Sequence, residues 1–539
     1  VPKTPKKAPQ PAPQPATPSL EGVAWAVPPV WSLVALGVAV VVGAVLRFRG
    51  LGAPSLWTDE LVSWWAASAA TTGQVLSRVT GCMATPPLSS LAQHVTLGMF
   101  GESEWALRLP SAVAGVLTIP LIFLAGWRMF GAAAGAVAAL FLALHPFHLW
   151  WSTDGRPYGL AVLFAAGATW SLAEAVRTGC WRSAAGWAVC TAGLLYSQFV
   201  FLPLPIFQIL AYVVLRRTGR APALAPARMG MAVGGAALLC VPLLPQMLAV
   251  GRRAPGLTWP SFIGNYPPGI YGLLQTTALM TGALLFLLYL SARTTGDELP
   301  GRPAVRDRAG DLLLVLLSFL GPLLLLGAVA LLRDLPTLVR PRYGAAYVAP
   351  AVLLAGWATT LPARRGGKIL FAGSFLVLLA ATAVVPTLRR GESFNQNANV
   401  EDWRSAIELL ASERQPGDLV LIRSGLIETA SVYAGAFPSA CDDYVTAPLS
   451  GPYLEGDVDA ILLPMTFADP APLDYARRFG ERLAGRSRVW LLMMHPDDPG
   501  QYFGRLEAYL RRASGLPLQV ARAGTFGPVT VALLAVPSG

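Results

Sequence analysis

Residues 110–128, PSAVAGVLTIPLIFLAGWR, and 131–150, GAAAGAVAALFLALHPFHLW, are two nearly uncharged apolar runs, with Arg128 closing the first. Each is long enough to cross a bilayer as a helix, which takes about 17–25 residues. Nine more such runs recur, near 28–47, 158–176, 182–198, 200–215, 229–250, 271–291, 311–332, 344–361 and 369–388. Over the whole 539-residue chain 54% of residues are hydrophobic and 13% charged, against about 25% charged in soluble domains. The expected fold class is an α-helical polytopic membrane protein of about 11 transmembrane helices. The pair Gly131-x-x-x-Gly135 reads as small-residue helix packing.

The 41 Lys+Arg against 30 Asp+Glu give a net charge of +11. The basic residues sit in short clusters between apolar runs, the pattern of membrane loops and not of a nucleic-acid surface. Residues 1–27 are rich in Pro, Ala, Gln and Lys and read as a disordered tail without a secretory signal. With that tail in the cytoplasm, the inside loops hold Arg128; Arg177 and Arg182; Arg216, Arg217, Arg220 and Arg228; Arg293, Arg302, Arg306 and Arg308; and Arg364, Arg365 and Lys368. An odd number of spans then places everything after the membrane region, 28–390, outside. Residues 391–539 regain charge and alternate helical stretches (401–413, 473–484, 501–513) with strand-like runs (419–422, 459–465, 489–494, 530–536). That alternation predicts a small extracytoplasmic α/β domain with a largely parallel sheet.

Five cysteines in so long a chain exclude a disulfide scaffold. Cys180, Cys190 and Cys240 fall in or beside spans; Cys82 and Cys441 fall outside, where the sequence leaves a bridge between them open. No His/Cys spacing resembles a zinc site, and no Gly-rich phosphate loop opens a helix. No metal site is expected.

Carboxylates are scarce in the membrane half, so their placement is informative. The long first outside loop, 48–109, begins Leu56-Trp57-Thr58-Asp59-Glu60. Thr58 reads as a helix N-cap, with Asp59 and Glu60 in a first turn favoured by the helix dipole. A carboxylate there is also placed to take a proton from a nucleophile. The second outside loop carries Asp154-Gly155-Arg156-Pro157-Tyr158. Asp154 and Pro157 fit the start of the next span, and His145 and His148 read as interfacial polar groups. Arg156, and Arg340-Pro341-Arg342-Tyr343 before a late span, are cations on the side that topology disfavours. Arginines beside carboxylates there suggest an anion site.

The runs LWTDE, PPL at 86–88, ALRLPSAVAG at 106–115, DGRPYGL at 154–160 and RPRY at 340–343, in that order, resemble bacterial C-type glycosyltransferases. These are polytopic membrane enzymes similar to protein O-mannosyltransferases and lipid A aminoarabinose transferases. The resemblance runs from about 47 to about 390, and NVEDWRSAIELL at 399–410 looks like the start of the outside domain of many members. Members often carry Glu at the place of Asp154, a longer polar side chain at Thr153, and His at Thr85 and near Gln198.

The resemblance implies transfer of a sugar from a polyprenyl-phosphate donor to an envelope acceptor (lipid, protein hydroxyl or polysaccharide) on the outer face of a bacterial plasma membrane. Asp59 is then the candidate base, Arg156 and Arg342 the phosphate partners, and Glu60, Asp154, Tyr158 and Tyr343 the residues around donor and acceptor. A divalent cation on Asp59 and Asp154 is left open. Two other classes fit less well. A lipid-linked-sugar transporter or flippase would favour midplane ionisable groups and inverted repeats, and a non-catalytic assembly protein has no need to keep both aspartates.

Overall fold

The computed structural model describes residues 27–83, 85–218, 223–253, 309–333, 340–361, 365–423, 432, 444, 446–449, 452–454, 458–464, 472–494, 499–514 and 519–535. The expected tail, apart from Val27, and the expected span at 271–291 lie outside these residues.

The chain is a multi-pass membrane protein. Six described helices are long and apolar enough to cross a bilayer, seven when one bent pair counts as a single span. They include α1 (Val30–Phe48), α5 (Glu104–Phe130) and α8 (Tyr158–Thr178), with α6 (Ala132–Leu144) and α7 (Pro146–Ser152) forming the bent pair. Phe199–Arg217, Pro226–Leu248 and Ala309–Leu332 complete the set. The other expected spans fall on shorter or interrupted helices. Trp181–Ser197 has 17 residues; Val348–Ala358 follows a 3-10 turn, Pro341–Tyr347; and Arg365–Leu379 passes through a π-turn into Val385–Arg390.

Small residues let α5 and α6 pack closely. A Cβ on Gly126 would meet the Gly135 Cα at 2.8 Å, and one on Gly135 would meet the Phe123 carbonyl oxygen at 2.6 Å. Gly135 thus packs as expected, but Gly131 does not share that role. With φ of 99° it is the reversal between α5 and α6, a conformation that costs glycine little.

The 60° bend between α6 and α7 falls at His145-Pro146, where proline cannot continue the hydrogen-bond ladder. The last α6 carbonyls would be orphaned in an apolar interior, and Arg47 of α1 covers them. Its Nη1 donates to Ala143 O (3.3 Å) and Gly43 O (2.9 Å), its Nη2 to Leu142 O (3.3 Å) and His148 Nδ1 (2.6 Å). His145 and His148 are buried within the protein beside the bend. The bend points the chain into the loop 153–157.

The long loop after α1 folds into α2 (Thr58–Ala67), α3 (Thr72–Arg78) and α4 (Leu88–Phe100). Among the described residues after 400 come the helices Trp403–Glu413, Leu473–Leu483 and Pro499–Ser514 and five strands: β1 (Leu419–Arg423), β2 (Ala460–Leu462), β3 (Arg488–Met494), β4 (Gln519–Phe526) and β5 (Val529–Ala535). The sheet order is β2-β1-β3-β5-β4, parallel across β2, β1 and β3 and antiparallel from β3 through β5 to β4. It is mixed, not largely parallel. The unforeseen β4 is an exposed edge strand, so no buried apolar run marks it in the sequence.

One apolar cluster joins this region to the first loop: Leu56, Leu61, Trp64 and Trp65 pack with Trp403, Ile407, Trp490 and Val531. At its rim Tyr453 accepts from Leu56 N (2.8 Å) and donates to Glu104 Oε1 (2.9 Å), which also pairs with Arg404. Cys82 in the first loop is disulfide-bonded; Cys441 lies outside the described residues, while Cys180, Cys190 and Cys240 are free.

Candidate active site

The first turn of α2 organises the site. Trp57, not Thr58, is the N-cap, and the two carboxylates that follow point to different surroundings.

Glu60 points inward and is fully buried. Its Oε1 accepts from Arg108 Nε (2.8 Å), Gly155 N (2.6 Å) and Asn395 Nδ2 (3.2 Å); its Oε2 accepts from Arg108 Nη2 (2.6 Å) and, weakly, Trp57 N (3.4 Å). Arg108 also reaches the carbonyls of Leu51 (2.9 Å), Pro54 (3.0 Å) and Ser55 (2.9 Å), so all five of its N–H groups are used. This buried pair ties the loop before α2, α2 itself and the second loop into one block. A Cβ on Gly155 would lie 3.2 Å from Glu60 Oε1 and 3.1 Å from Leu107, which accounts for glycine there. Glu60 thus holds these segments together, with both of its oxygens occupied inside the protein. The helix-start role read for Thr58 and its neighbours also falls to Glu60.

Asp59 points outward, and its side chain is 27% exposed. Its Oδ2 accepts from Arg342 Nη1 at 2.6 Å and it caps no backbone N–H. Arg156 Nη1 donates to the Asp59 carbonyl (3.0 Å) and to Ser63 Oγ (2.9 Å). Burial works to raise the Asp59 pKa. The charges of Arg342, Arg156 and Arg340, with the Arg342 hydrogen bond, outweigh that and hold it below its ordinary value.

Asp154 is enclosed. Trp57 Nε1 donates to its Oδ1 (3.0 Å), while its Oδ2 is buried with no hydrogen-bond partner. It does not cap α8, whose N-cap is Pro157. Burial and the neighbouring Glu60 charge push its pKa well above the ordinary carboxylate value. Tyr158 is buried edge-on to Trp151, ring centroids 4.7 Å apart, and Tyr343 packs partly buried against the membrane core.

The structure therefore brings Asp59, Arg156 and Arg342 together, with Arg340 close by, and sets Glu60 and Asp154 behind them. The donor set around Asp59 does not suit a divalent cation, since guanidinium groups crowd its carboxylate. Among the described residues no group of three His, Cys, Asp or Glu is arranged to hold a metal. Three residues of the site are unforeseen: Arg108, Asn395 and Glu401. Arg108 has a usable signal, an arginine in an apolar run. Glu401 falls in the run NVEDWRSAIELL, which marks it only as the start of a helix, and Asn395 carries no signal.

The two aspartates predict opposite pH behaviour. A raised carboxyl pKa contributes stability below the unfolded value and loses it as pH rises through the folded value; a lowered one contributes above and is lost on acidification. Asp154→Asn should therefore flatten the loss of thermal stability on raising pH above the usual carboxylate range, while Asp59→Asn should flatten the loss on acidification. Detergent-phase unfolding across pH measures both; unchanged pH slopes would refute the assignments.

Residues 84–245 match the family described as dolichyl-phosphate-mannose-protein mannosyltransferase. A putative mannosyltransferase of Bacillus subtilis (strain 168), YkcB, is 27% identical over 170 residues, 31% of this chain and 24% of that protein. The match thus spans about a quarter of that relative's length. The crystal structure of ArnT from Cupriavidus metallidurans in the apo state superimposes with a TM-score of 0.56 at 15% identity, covering 94% of this chain and 98% of that one. The same enzyme bound to undecaprenyl phosphate gives 0.53 at 15% identity, with the same coverage. The chain has the ArnT fold. The resemblance read from LWTDE, DGRPYGL and RPRY agrees with both the family match and the fold.

Proposed function

We propose that this protein is an integral membrane glycosyltransferase that moves a sugar from a polyprenyl-phosphate-linked donor to an acceptor hydroxyl at the outer membrane face. The observation that carries the reading is the partly exposed Asp59 carboxylate held at 2.6 Å by Arg342, with Arg156 bonded to the same residue's carbonyl. The match of residues 84–245 to a lipid-phosphate mannosyltransferase family and the undecaprenyl phosphate bound by ArnT support that donor class. Mannose is accordingly the first sugar to test.

In this mechanism Asp59 takes the proton of the acceptor hydroxyl, whose oxygen forms the new bond to the anomeric carbon. The bond from that carbon to the phosphate oxygen breaks, and its electron pair leaves on the phosphate. Arg342 and Arg156 stabilise the departing charge through charge-assisted hydrogen bonds. One such displacement inverts the anomeric configuration. Arg342 has a second effect. It keeps Asp59 a weak base, and an arriving phosphate that draws the guanidinium away makes Asp59 more basic when the acceptor needs it.

The orientation follows the basic inside loops, and the Cys82 disulfide supports it, since disulfides persist in oxidising compartments. A reporter fused after Ala535 should be active outside the cytoplasm alone. Purified protein in lipid should transfer labelled mannose from polyprenyl-phosphate-mannose to an envelope extract. Cytoplasmic reporter activity would undo the site's sidedness. Donor left intact with every envelope fraction, and with the aminoarabinose-linked donor as well, would reject the transferase.

A further inference from the structure

We infer that the strap between the last apolar helix and the sheet, residues 391–402, is part of the reaction site, with Glu401 and Asn395 as the residues that position Asp59. This rests on the reading of Asp59 as the base. The strap is anchored at one end by Phe394, buried against Leu46, Leu149 and Val384 at the membrane half. The next residue, Asn395, is fully buried. Its Nδ2 donates to Glu60 Oε1 (3.2 Å) and to the Thr153 carbonyl (3.4 Å), joining α2 to the second loop. Its Oδ1 accepts from Ala398 N (3.2 Å), which fixes the amide orientation.

Further along, one oxygen of Glu401 grips α2 from the other side. Oε2 accepts from Thr58 N (2.8 Å), Thr58 Oγ1 (2.7 Å) and Trp403 Nε1 (3.1 Å). The two residues flanking Asp59 are thus held from the strap, Thr58 by Glu401 and Glu60 by Asn395. Asp59 between them presents its side chain outward. A base must sit within hydrogen-bond reach of its proton, and a displacement of about 1 Å can cost around 10²-fold in rate. A carboxylate at the start of α2 also complements the helix dipole. Because all three Glu401 donors are neutral, an amide oxygen in the same place can accept the same bonds. That property separates positioning from charge.

The test uses the full-length protein in lipid, with mannose transfer from polyprenyl-phosphate-mannose and the folded fraction measured for each variant. Glu401→Ala should lower kcat per folded molecule roughly 10-fold or more, with KM for the donor within about twofold. Glu401→Gln should restore kcat to within about threefold of the parent protein. If Glu401→Ala does not fold, Thr58→Val removes the hydroxyl grip from the α2 side and should give a smaller loss, about threefold, again confined to kcat. A parent-like kcat in the variant that folds, equal losses for Gln and Ala, or an effect on KM alone would overturn the inference. Asp59→Asn is assayed beside them. Full activity there removes the base whatever Glu401 does, whereas an inactive Asp59→Asn with parent-like kcat in Glu401→Ala removes the strap alone.

Discussion

Asp59→Asn is expected to lower turnover by roughly 10²-fold or more, the usual scale of a general base, while the protein still folds. The structure makes this substitution a clean test. Asp59 caps no backbone N–H, and the N–H of Trp57 is met, weakly, by Glu60. Its side chain lies at the open edge of the site, 27% exposed, so the lost ion pair with Arg342 is partly solvated and contributes modestly to stability. Asparagine keeps the size and an acceptor for Arg342 but cannot take a proton. Sugar transfer should therefore fall while thermal unfolding in detergent stays close to that of the parent protein. A folded Asp59→Asn protein with near-normal turnover would remove Asp59 as the base. If Glu60→Gln were inactive while folded and Asp59→Asn were active, the role would belong one residue along.

Arg108→Ala should have the opposite signature: loss of folded protein with little to say about chemistry. Arg108 and Glu60 are both completely buried and share two hydrogen bonds. Removing the guanidinium leaves a carboxylate in the interior and orphans the carbonyls of Leu51, Pro54 and Ser55. Breaking a buried pair in this way costs about 3–5 kcal/mol, a large share of the roughly 5–15 kcal/mol that holds a domain folded. Glu60→Gln should be milder, because the amide keeps one oxygen and loses the two-pronged match to Arg108. The check is the yield of monodisperse protein and its unfolding temperature, with activity expressed per folded molecule. An Arg108→Ala protein as stable as its parent would show that the block is held elsewhere.

Much of this architecture is written locally in the chain. The apolar runs at 110–128 and 131–150 can satisfy their backbone in lipid only as helices, so spans follow from length and composition. The strands at 419–423, 460–462, 488–494 and 529–535 carry the runs that a buried sheet requires. Charges are scarce enough in the membrane half that Asp59, Arg156 and Arg342 stand out by residue type and position alone. What the sequence could not decide is which of two adjacent carboxylates is buried and which stays partly exposed. Helix geometry turns Asp59 and Glu60 about 100° apart, and the packing of α5 against the first loop determines which of them meets Arg108. Arg342 reaches Asp59 across 283 residues and Glu401 reaches Thr58 across 343. Neither separation leaves a local pattern: Glu401 reads only as the start of the helical stretch 401–413, and Asn395 as an ordinary polar residue. Their roles arise because tertiary folding removes them from water, where a buried polar atom must find a partner.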